Sequence, residues 1–389
     1  MKILEKDKRM VKRILDEFIL PYQDRIALST ERQTKFFAHE KVDACPIMIG
    51  PDKKIAKIVN KAFPAEIKEE DVDQEFLRIL LSRLSLSAKS LMVNNDAVLR
   101  IYPAFGCSAG LTSLGMKQKR THGNYGAYGP PDALNQEEAL KLTIDDVQIR
   151  GDIKKRLDFI KYARAMVNDQ IPILNSYAGG PFPFACDVMG TDFMMLTATD
   201  PKLAHEFLEF CMEATKKMLM WHRDAAGADD CKNTVLGGGS VAKGSRVMQM
   251  DIDQAVMFSP EAIDEFIIPS TCEFAKRCNI KIQTLHYCGW YEYFSRAIAK
   301  EKSIGTLNNN PVPGKLHDAP FEEVMKLCAE TNTTYLGYWP KFINEHSKDY
   351  LKRLNKWAKE GVLFPEIRPT SDFGYFASSA QVADYWYQL

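Results

Sequence analysis

The feature that most limits the fold of this 389-residue chain is a repeated alternation of short apolar runs with longer amphipathic stretches. A short apolar run between turn residues is typical of a buried strand, and apolar residues spaced by three and four are typical of a helix. A strand, a crossover helix and a second strand make a right-handed unit, so the alternation predicts a parallel sheet. Roughly six to eight such units favour a (β/α)8 TIM barrel, which takes about 250 residues before insertions.

The helices predicted before the first strand indicate where the barrel domain begins. One helix is predicted over residues 5–20, before Pro21, and Thr30 is predicted to cap a second helix from Glu31 to Glu40. We interpret residues 1–40 as an N-terminal helical arm and residues 41–389 as a single barrel. No linker rich in Pro, Ser or Gly divides the chain, and no repeat of fixed period is visible.

The predicted strands and helices of the barrel alternate along the chain. Strands are predicted at 44–50, 97–102, 171–177, 281–286, 304–307, 333–339 and 362–367. Helices are predicted at 53–63, 73–92, 152–168, 320–328 and 349–359, and two more begin at Asp200-Pro201 and Ser259-Pro260, where a capping side chain precedes a proline.

Charge and cysteine content narrow the function classes. The chain has 51 basic and 51 acidic side chains, which argues against nucleic acid or an anionic membrane as a partner. No apolar run reaches the roughly 18–20 residues of a membrane helix, and the first 20 residues do not resemble a signal peptide. Nine cysteines, an odd number without an export signal, predict reduced thiols and a cytoplasmic protein.

His286 and Cys288 are the strongest candidates for chemistry. They lie at the exit of the strand predicted at 281–286, just before Gly289, and side chains two apart on a strand point the same way. Parallel barrels place their sites at that end of the strands, so the pair could hold one metal ion or flank one substrate. The alternative is a hydrogen-bonded structural histidine beside a small buried thiol.

Three motifs carry a family resemblance. Ser176-Tyr-Ala-Gly-Gly-Pro-Phe-Pro183, Phe258-Ser-Pro-Glu261 followed by Glu265-Phe266 and Pro269, and His286-Tyr-Cys-Gly289 resemble the uroporphyrinogen decarboxylase superfamily in order and context. The likeness covers roughly residues 30–340. It implies a (β/α)8 barrel, and the superfamily includes porphyrinogen decarboxylases and the corrinoid-dependent methyltransferases of anaerobes.

Two departures from the family pattern help to decide whether the chain resembles the decarboxylases or the methyltransferases of the superfamily. Gly50-Pro-Asp-Lys-Lys54 stands where true decarboxylases carry an arginine-rich segment, and lysine is a poor replacement for a bidentate arginine. Zinc methyltransferases of the superfamily use His-x-Cys and a second cysteine near the last strand, but no cysteine follows Cys328. The resemblance therefore implies zinc held by His286 and Cys288 with a carboxylate, either Glu265 or Asp251.

The function that the resemblance implies is corrinoid-dependent methyl transfer, as the demethylase component of an anaerobic pathway such as O-demethylation. A metal-assisted site would move a methyl group between a small methylated substrate and a corrinoid supplied by a partner protein. We expect His286 and Asp251 to be catalytic. The residues expected to bind substrate are Tyr177, Asp187, Asn308 and Trp339.

Two alternatives remain open from the sequence. The first is a uroporphyrinogen decarboxylase of tetrapyrrole biosynthesis, in which Asp187 or Asp251 supplies the proton that the pyrrole carbon takes up. The second is a non-catalytic barrel that binds a tetrapyrrole or a corrinoid protein. A homodimer is compatible with either.

Overall fold

The computed structural model describes most of the chain. The described residues are 3–63, 72–103, 105–106, 109–117, 119–120, 128–129, 133–173, 179–228, 233–235, 240–244, 246–310, 321–342, 344–368 and 375–389.

The described part of the chain contains both helices and strands, which alternate regularly from residue 281 to residue 367. The strands are β1 Met48–Ile49, β2 Lys119–Arg120, β3 Tyr128–Gly129, β4 Asn233–Val235, β5 Val241–Lys243, β6 Val247–Asp251, β7 Lys281–Cys288, β8 Ile304–Asn310, β9 Thr334–Tyr338 and β10 Leu363–Ile367. The helices are α1 Glu5–Phe18, α2 Gln23–Phe37, α3 Lys53–Ala62, α4 Val72–Leu91, α5 Gln136–Ala139, α6 Gly151–Val167, α7 Pro181–Met189, α8 Thr191–Thr199, α9 Pro201–Ala226, α10 Pro260–Ala262, α11 Ile268–Arg277, α12 Glu292–Lys300, α13 Phe321–Thr331, α14 Ser347–Lys359 and α15 Ser379–Trp386.

Six strands form one parallel sheet in the order β1-β10-β9-β8-β7-β6. Helices α12, α13 and α14 are the crossovers between β7, β8, β9 and β10, as βαβ units require. The remaining strands form two antiparallel pairs, β2 with β3 and β4 with β5. The prediction of a parallel α/β fold is confirmed, while closure into an eight-stranded barrel stays a prediction.

The parallel sheet has an outer face under the helices and an inner face turned away from them. Leu285, Tyr287 and Tyr335 belong to the main apolar core on the outer face, where the Tyr287 ring lies 5.1 Å from the ring of Phe294 on α12. Alternate residues point to opposite faces, so Thr284, His286 and Cys288 lie on the inner face. At the amino end the inner face is closed by Phe36 of α2, packed with Met48, Leu336 and Phe364.

The N-terminal helices differ from the prediction in one respect. The first helix ends at Phe18, as predicted to within two residues, and its buried face packs against α4 and α6. The second helix begins at Gln23, so the predicted cap at Thr30 is wrong. Thr30 lies inside α2, where its hydroxyl donates to the carbonyl of Ile26 at 2.7 Å, a bond that a mid-helix threonine makes readily.

The elements of the parallel sheet follow the predicted alternation, with one of its strands missed; the short antiparallel pairs β2–β3 and β4–β5 were not predicted either. Asp200 accepts from Leu203 N at 3.1 Å and Ser259 accepts from Ala262 N at 3.3 Å, which confirms both predicted caps. Strand β6 was not predicted, because Val247–Asp251 is short and partly polar. Of the strands predicted at 97–102 and 171–177, the structure shows one parallel bridge between Ile101 and Ile173, and residues 174–177 lie outside the described part.

Among the helices of the described residues, none combines the length and the apolar character that crossing a membrane requires.

Candidate functional site

Strand β7 carries the predicted pair to the carboxyl edge of the sheet. Leu285 and Tyr287 are fully buried on the outer face, and each such side chain stabilises the strand by roughly 1.5–3 kcal/mol relative to exposure. This packing fixes the register of the strand, because a slip of one residue would exchange its two faces. His286 and Cys288 are thereby held on the inner face, and the strand ends before Gly289, whose φ of 94° suits glycine.

Three side chains converge where β7 and the turn after β6 meet. The Nε2 atom of His286 lies 3.5 Å from Sγ of Cys288 and 3.7 Å from Oδ1 of Asp253. The same Asp253 oxygen accepts the backbone N–H of Cys288 at 2.7 Å, which ties the turn to the strand. One ligand atom from each of the three lies within 4.8 Å of the others.

The orientation of the His286 ring is set from the neighbouring strand. Nδ1 of His286 forms a short hydrogen bond with Oδ1 of Asn308, its register partner on β8. The Nδ2 group of Asn308 donates to the carbonyl of Leu336, and a carbonyl only accepts, so the amide must present its oxygen to the ring. Nδ1 therefore carries the proton, and Nε2 keeps a lone pair toward Cys288 and Asp253.

Gly337 makes room for this amide. Its φ is 140°, and a Cβ atom built there would lie 2.7 Å from Nδ2 of Asn308. A side chain at position 337 would push Asn308 out of its place and leave the His286 ring without its acceptor. The glycine thus acts on the site through two successive hydrogen bonds.

The donor set of His286, Cys288 and Asp253 fits a zinc ion. Zinc binds imidazole nitrogen, thiolate sulfur and carboxylate oxygen, and three protein ligands leave a fourth position open in catalytic sites. A histidine that binds a metal through one ring nitrogen is usually oriented by a hydrogen-bond acceptor at the other ring nitrogen, and here that acceptor is Asn308. Asp253 has an exposed fraction of 53% and His286 of 14%, so the group is reached from solvent on the carboxylate side.

Asp251 was predicted as a ligand, and the structure puts Asp253 in that place. Asp251 is the register partner of His286 but accepts from Nε2 of Gln249 at 2.9 Å, and it is not in the convergent group. Burial raises the pKa of Asp251, although Gln249 and His286 oppose the shift. Two carboxylates two positions apart were visible in the sequence, but which one reaches the histidine depends on the turn that follows β6.

Glu265, the other predicted carboxylate ligand, lies elsewhere. Its Oε1 atom is 3.2 Å from Nε2 of His205 on α9, and both side chains are about half exposed. It belongs to the π-helical segment Ile263–Ile267 before Pro269, and it is not in the convergent group. Glu265, which the family resemblance implied as a zinc ligand, therefore does not reach the His286 ring.

The four predicted substrate residues fall in different places. Asn308 lies in the site as described, while Asp187 on α7 accepts a 3.5 Å hydrogen bond from Gln254, the neighbour of Asp253. Trp339 is buried, with its ring 5.0 Å from Phe321 and 5.4 Å from Tyr335, so the structure places it in the core. Tyr177 lies outside the described residues.

A cavity of about 500 Å³ lies at the opposite, amino end of the sheet. Its lining includes His39, Cys45, Lys359 and the C-terminal Leu389, whose carbonyl accepts from Lys359 Nζ at 2.5 Å. Burial raises the pKa of the Cys45 thiol, which makes it a poorer nucleophile and metal ligand. Among the described residues, the histidine, cysteine and carboxylate side chains that converge are those at the carboxyl end.

The comparisons with known proteins agree with the resemblance. Residues 102–232 match the family model described as uroporphyrinogen decarboxylase (URO-D), which confirms the resemblance to that superfamily. This segment contains Asp187 and the first motif, whereas His286, Cys288 and Asp253 lie beyond it. Among curated proteins, none matches the chain.

A solved structure shares the fold. A methyltransferase from Methanosarcina mazei superposes with a TM-score of 0.56 over 91% of this chain and 97% of that one, at 18% sequence identity. Similarity at that identity shows a common architecture, within which the side chains of each site must be judged separately.

Proposed function

We propose that this chain is a zinc-dependent methyltransferase of the corrinoid-dependent kind. The match to the uroporphyrinogen decarboxylase family model and the fold shared with a solved methyltransferase support the proposal. It would take a methyl group from oxygen, nitrogen or sulfur of a small molecule and pass it to a corrinoid held by a partner protein. The observation that carries the proposal is the convergence of an imidazole, a thiol and a carboxylate at the open edge of the sheet.

The three side chains have separate roles in this proposal. Zinc, when bound, supplies Lewis-acid polarisation of the methylated heteroatom. Cys288 and Asp253 contribute the negative charge that balances a dication, and His286 contributes a neutral donor oriented by Asn308. The half-exposed Asp253 side leaves an approach through which a methyl donor and then a corrinoid can reach the site.

The closed barrel is part of the proposal. Asp96 N donates to Ile47 O at 2.8 Å beside β1, and Ile101 N donates to Pro172 O at 3.0 Å. Farther along, Gly180 lies against the side chain of Met250 on β6. The segments at 97–102 and 171–173 would thus lie in the gap between β1 and β6, and a closed barrel would have its site at the carboxyl ends of the strands.

Metal binding tests the ligand set directly. Protein prepared without chelator, loaded with zinc and dialysed, is expected to retain about one zinc ion per chain by elemental analysis. His286→Ala and Asp253→Ala should lose that zinc, because each removes one of three ligands. Glu265→Ala is the matched control, since it removes a half-exposed carboxylate that pairs with His205 instead.

The reaction is tested with free cob(I)alamin as methyl acceptor and a panel of methoxy, N-methyl and methylthio compounds as donors. Methylcobalamin should form with the zinc-loaded protein, and the heteroatom that loses its methyl group takes up a proton. The proposal is wrong if the wild type retains no zinc, or if Glu265→Ala loses it while Asp253→Ala keeps it.

Decarboxylation of a porphyrinogen is the second candidate, and one observation favours it. Asp251 ends β6 beside His286, its register partner, at the carboxyl edge of the sheet, where an acid that delivers a proton to carbon would have to stand. Conversion of uroporphyrinogen to coproporphyrinogen by the zinc-free protein, lost in Asp251→Asn, would establish this activity instead.

A further inference from the structure

Arg368 stands at the carboxyl edge of the sheet, three strands away from His286. Arg368 follows the last residue of β10, and Cys288 ends β7. Both strands run parallel, so their carboxyl ends lie at the same edge. This arginine has no part in the zinc site described above.

Register and alternation put Arg368 on the inner face, with the zinc ligands. Phe364 faces inward with Leu336, so Glu366 and Arg368 share its side of the strand. Glu366 pairs with Tyr338 on β9, and the offset of β8 and β9 places Tyr338 opposite Asn310, the partner of Cys288. Three strand intervals of about 4.8 Å separate Cys288 from Glu366 by about 14 Å, and by less across a curved sheet, and Arg368 lies two residues beyond Glu366.

Arg368 is held by two neighbours. Its Nε group donates to Oε1 of Glu366 at 3.2 Å, and its guanidinium carbon lies 4.7 Å from the centre of the Tyr338 ring. A guanidinium that stacks on a ring and bonds a carboxylate through Nε has a fixed plane. The side chain is 49% exposed, and its two terminal nitrogens make no hydrogen bond to the described residues. They form a donor fork that no described residue occupies.

The shape and charge of this fork select a class of ligand. A carboxylate accepts two parallel N–H groups from arginine, which gives direction as well as charge. Glu366 lies next to the fork and repels additional negative charge, so a monoanion fits better than a doubly charged phosphate. The matching group is therefore a carboxylate.

We propose that Arg368 binds the carboxylate of the methyl donor, so that the substrate is a methylated organic acid. The inference rests on the proposed methyl transfer, because it assumes that the heteroatom lies at His286 and Cys288. The substrate spans from the zinc ligands to Arg368, which places its methylated end and its carboxylate at opposite ends of a small molecule. Glu366 and Tyr338 are positioning residues for the fork.

Binding of matched pairs tests the inference. The probes are 4-methoxybenzoate, N,N-dimethylglycine and 3-(methylthio)propionate, each compared with its uncharged amide, with dissociation constants from ligand-observed NMR. At least one acid should bind the wild type about tenfold more tightly than its amide, as expected for a charge-assisted pair. Arg368→Gln should remove that preference, and Arg368→Lys should restore part of it.

Arg296→Gln is the matched control. Arg296 on α12 is 47% exposed and pairs with Glu292, much as Arg368 pairs with Glu366. Its substitution should leave the preference for the acid unchanged. The inference is overturned if no acid binds better than its amide, or if the preference persists in Arg368→Gln.

Each titration is performed on both zinc-loaded and chelator-treated full-length protein, which separates the two proposals. Preference for the acid in both forms, without zinc retention, would leave the arginine site standing and remove the zinc proposal. Zinc retention and methyl transfer without preference for the acid would remove only the arginine site.

Discussion

The two ends of the sheet both hold a carboxylate among polar partners, but in opposite surroundings. At the amino end, Asp96 is fully buried and bonds Arg32 at 2.6 Å, the Tyr387 hydroxyl at 2.6 Å and the backbone N–H of Ile47 at 3.0 Å. At the carboxyl end, Asp253 is half exposed and bonds the backbone N–H of Cys288. All the partners of Asp96 described here come from the protein itself, whereas the exposed side of Asp253 is accessible to a ligand.

The comparison shows how one sheet can separate stability from chemistry. Asp96 joins α2, the segment after α4 and the C-terminal Tyr387, which are far apart in sequence. Burial raises the pKa of Asp96, against the opposing effect of Arg32, so the carboxylate depends on its partners. Asp253 joins only a turn and the end of one strand. Loss of the first should therefore damage the fold, and loss of the second should damage binding.

The largest expected effect is on the amino end. Asp96→Ala should lower the free energy of unfolding by about 3–5 kcal/mol, because it removes the buried one of the two carboxylate partners of Arg32 and leaves the Tyr387 hydroxyl and the Ile47 N–H without their acceptor. Zinc retention by the folded fraction should not change. Urea denaturation and elemental analysis measure the two quantities, and Asp253→Ala should show the reverse pattern, with a stability change below about 1 kcal/mol. Equal stability losses in the two variants would break the comparison.

The second effect tests how the carboxyl end is oriented. Asn308→Leu removes the acceptor of His286 Nδ1 and should weaken zinc binding by about 10–100-fold, as loss of such a partner does in other sites. The matched control is Asn309→Leu, on the outer face, where the amide bonds the hydroxyls of Tyr287 and Tyr335. That variant should lose about 1–3 kcal/mol of stability and keep its zinc affinity. A weaker zinc affinity in both would mean that the ring is not set by Asn308.

The smallest expected effect is the pH dependence of the free energy of unfolding that Asp43 contributes at the amino end. Hydrogen bonds from Arg32 lower the pKa of Asp43 from 3.8 to about 2. A carboxyl whose pKa is lowered by folding stabilises the protein above its unfolded pKa and loses that contribution as pH falls through the folded value. The stability of the wild type and Asp43→Asn should therefore differ above about pH 4 and converge near pH 2. Because Asp43 is exposed, we expect a difference below about 1 kcal/mol at pH 7.

Denaturation curves at several pH values measure this last difference. A gap between the two proteins that stayed constant from pH 7 to pH 2 would show that ionisation of Asp43 has no part in it. The exposed pair at Lys141 and Glu137 offers a control, since Glu137→Gln should change stability little at any pH.

Most helices and strands could be predicted because their signals are local. A capping side chain followed by proline, as at Asp200-Pro201 and Ser259-Pro260, begins a helix when an apolar stripe follows, and residues 281–286 predict a strand from their own pattern. The strand at 247–251 was missed since its polar Gln249 and Asp251 face inward, against the usual apolar pattern of a parallel strand. The predicted helix cap at Thr30 was wrong because a threonine inside a helix can donate to the carbonyl four residues before it.

The site was only half predicted for a related reason. His286 and Cys288 share a strand, so their spacing alone puts them on one face. The carboxylate comes from another strand, and its identity depends on the turn after β6 and on the register of β6 with β7. The family resemblance implied Glu265 as a ligand, but the helix that carries it turns that side chain toward His205.

The amino-acid sequence by itself determined the alternation of elements, the parallel α/β architecture and the family resemblance, because periodicity, caps and motifs act over a few residues. Only the tertiary structure decided that Asp253 joins His286 and Cys288, that Asn308 orients the ring, and that Arg368 stands at the same edge. Those relations depend on strand order and register, which bring together residues up to 115 positions apart (368 − 253 = 115). Backbone pairing between distant strands sets them, and no short stretch of sequence records it.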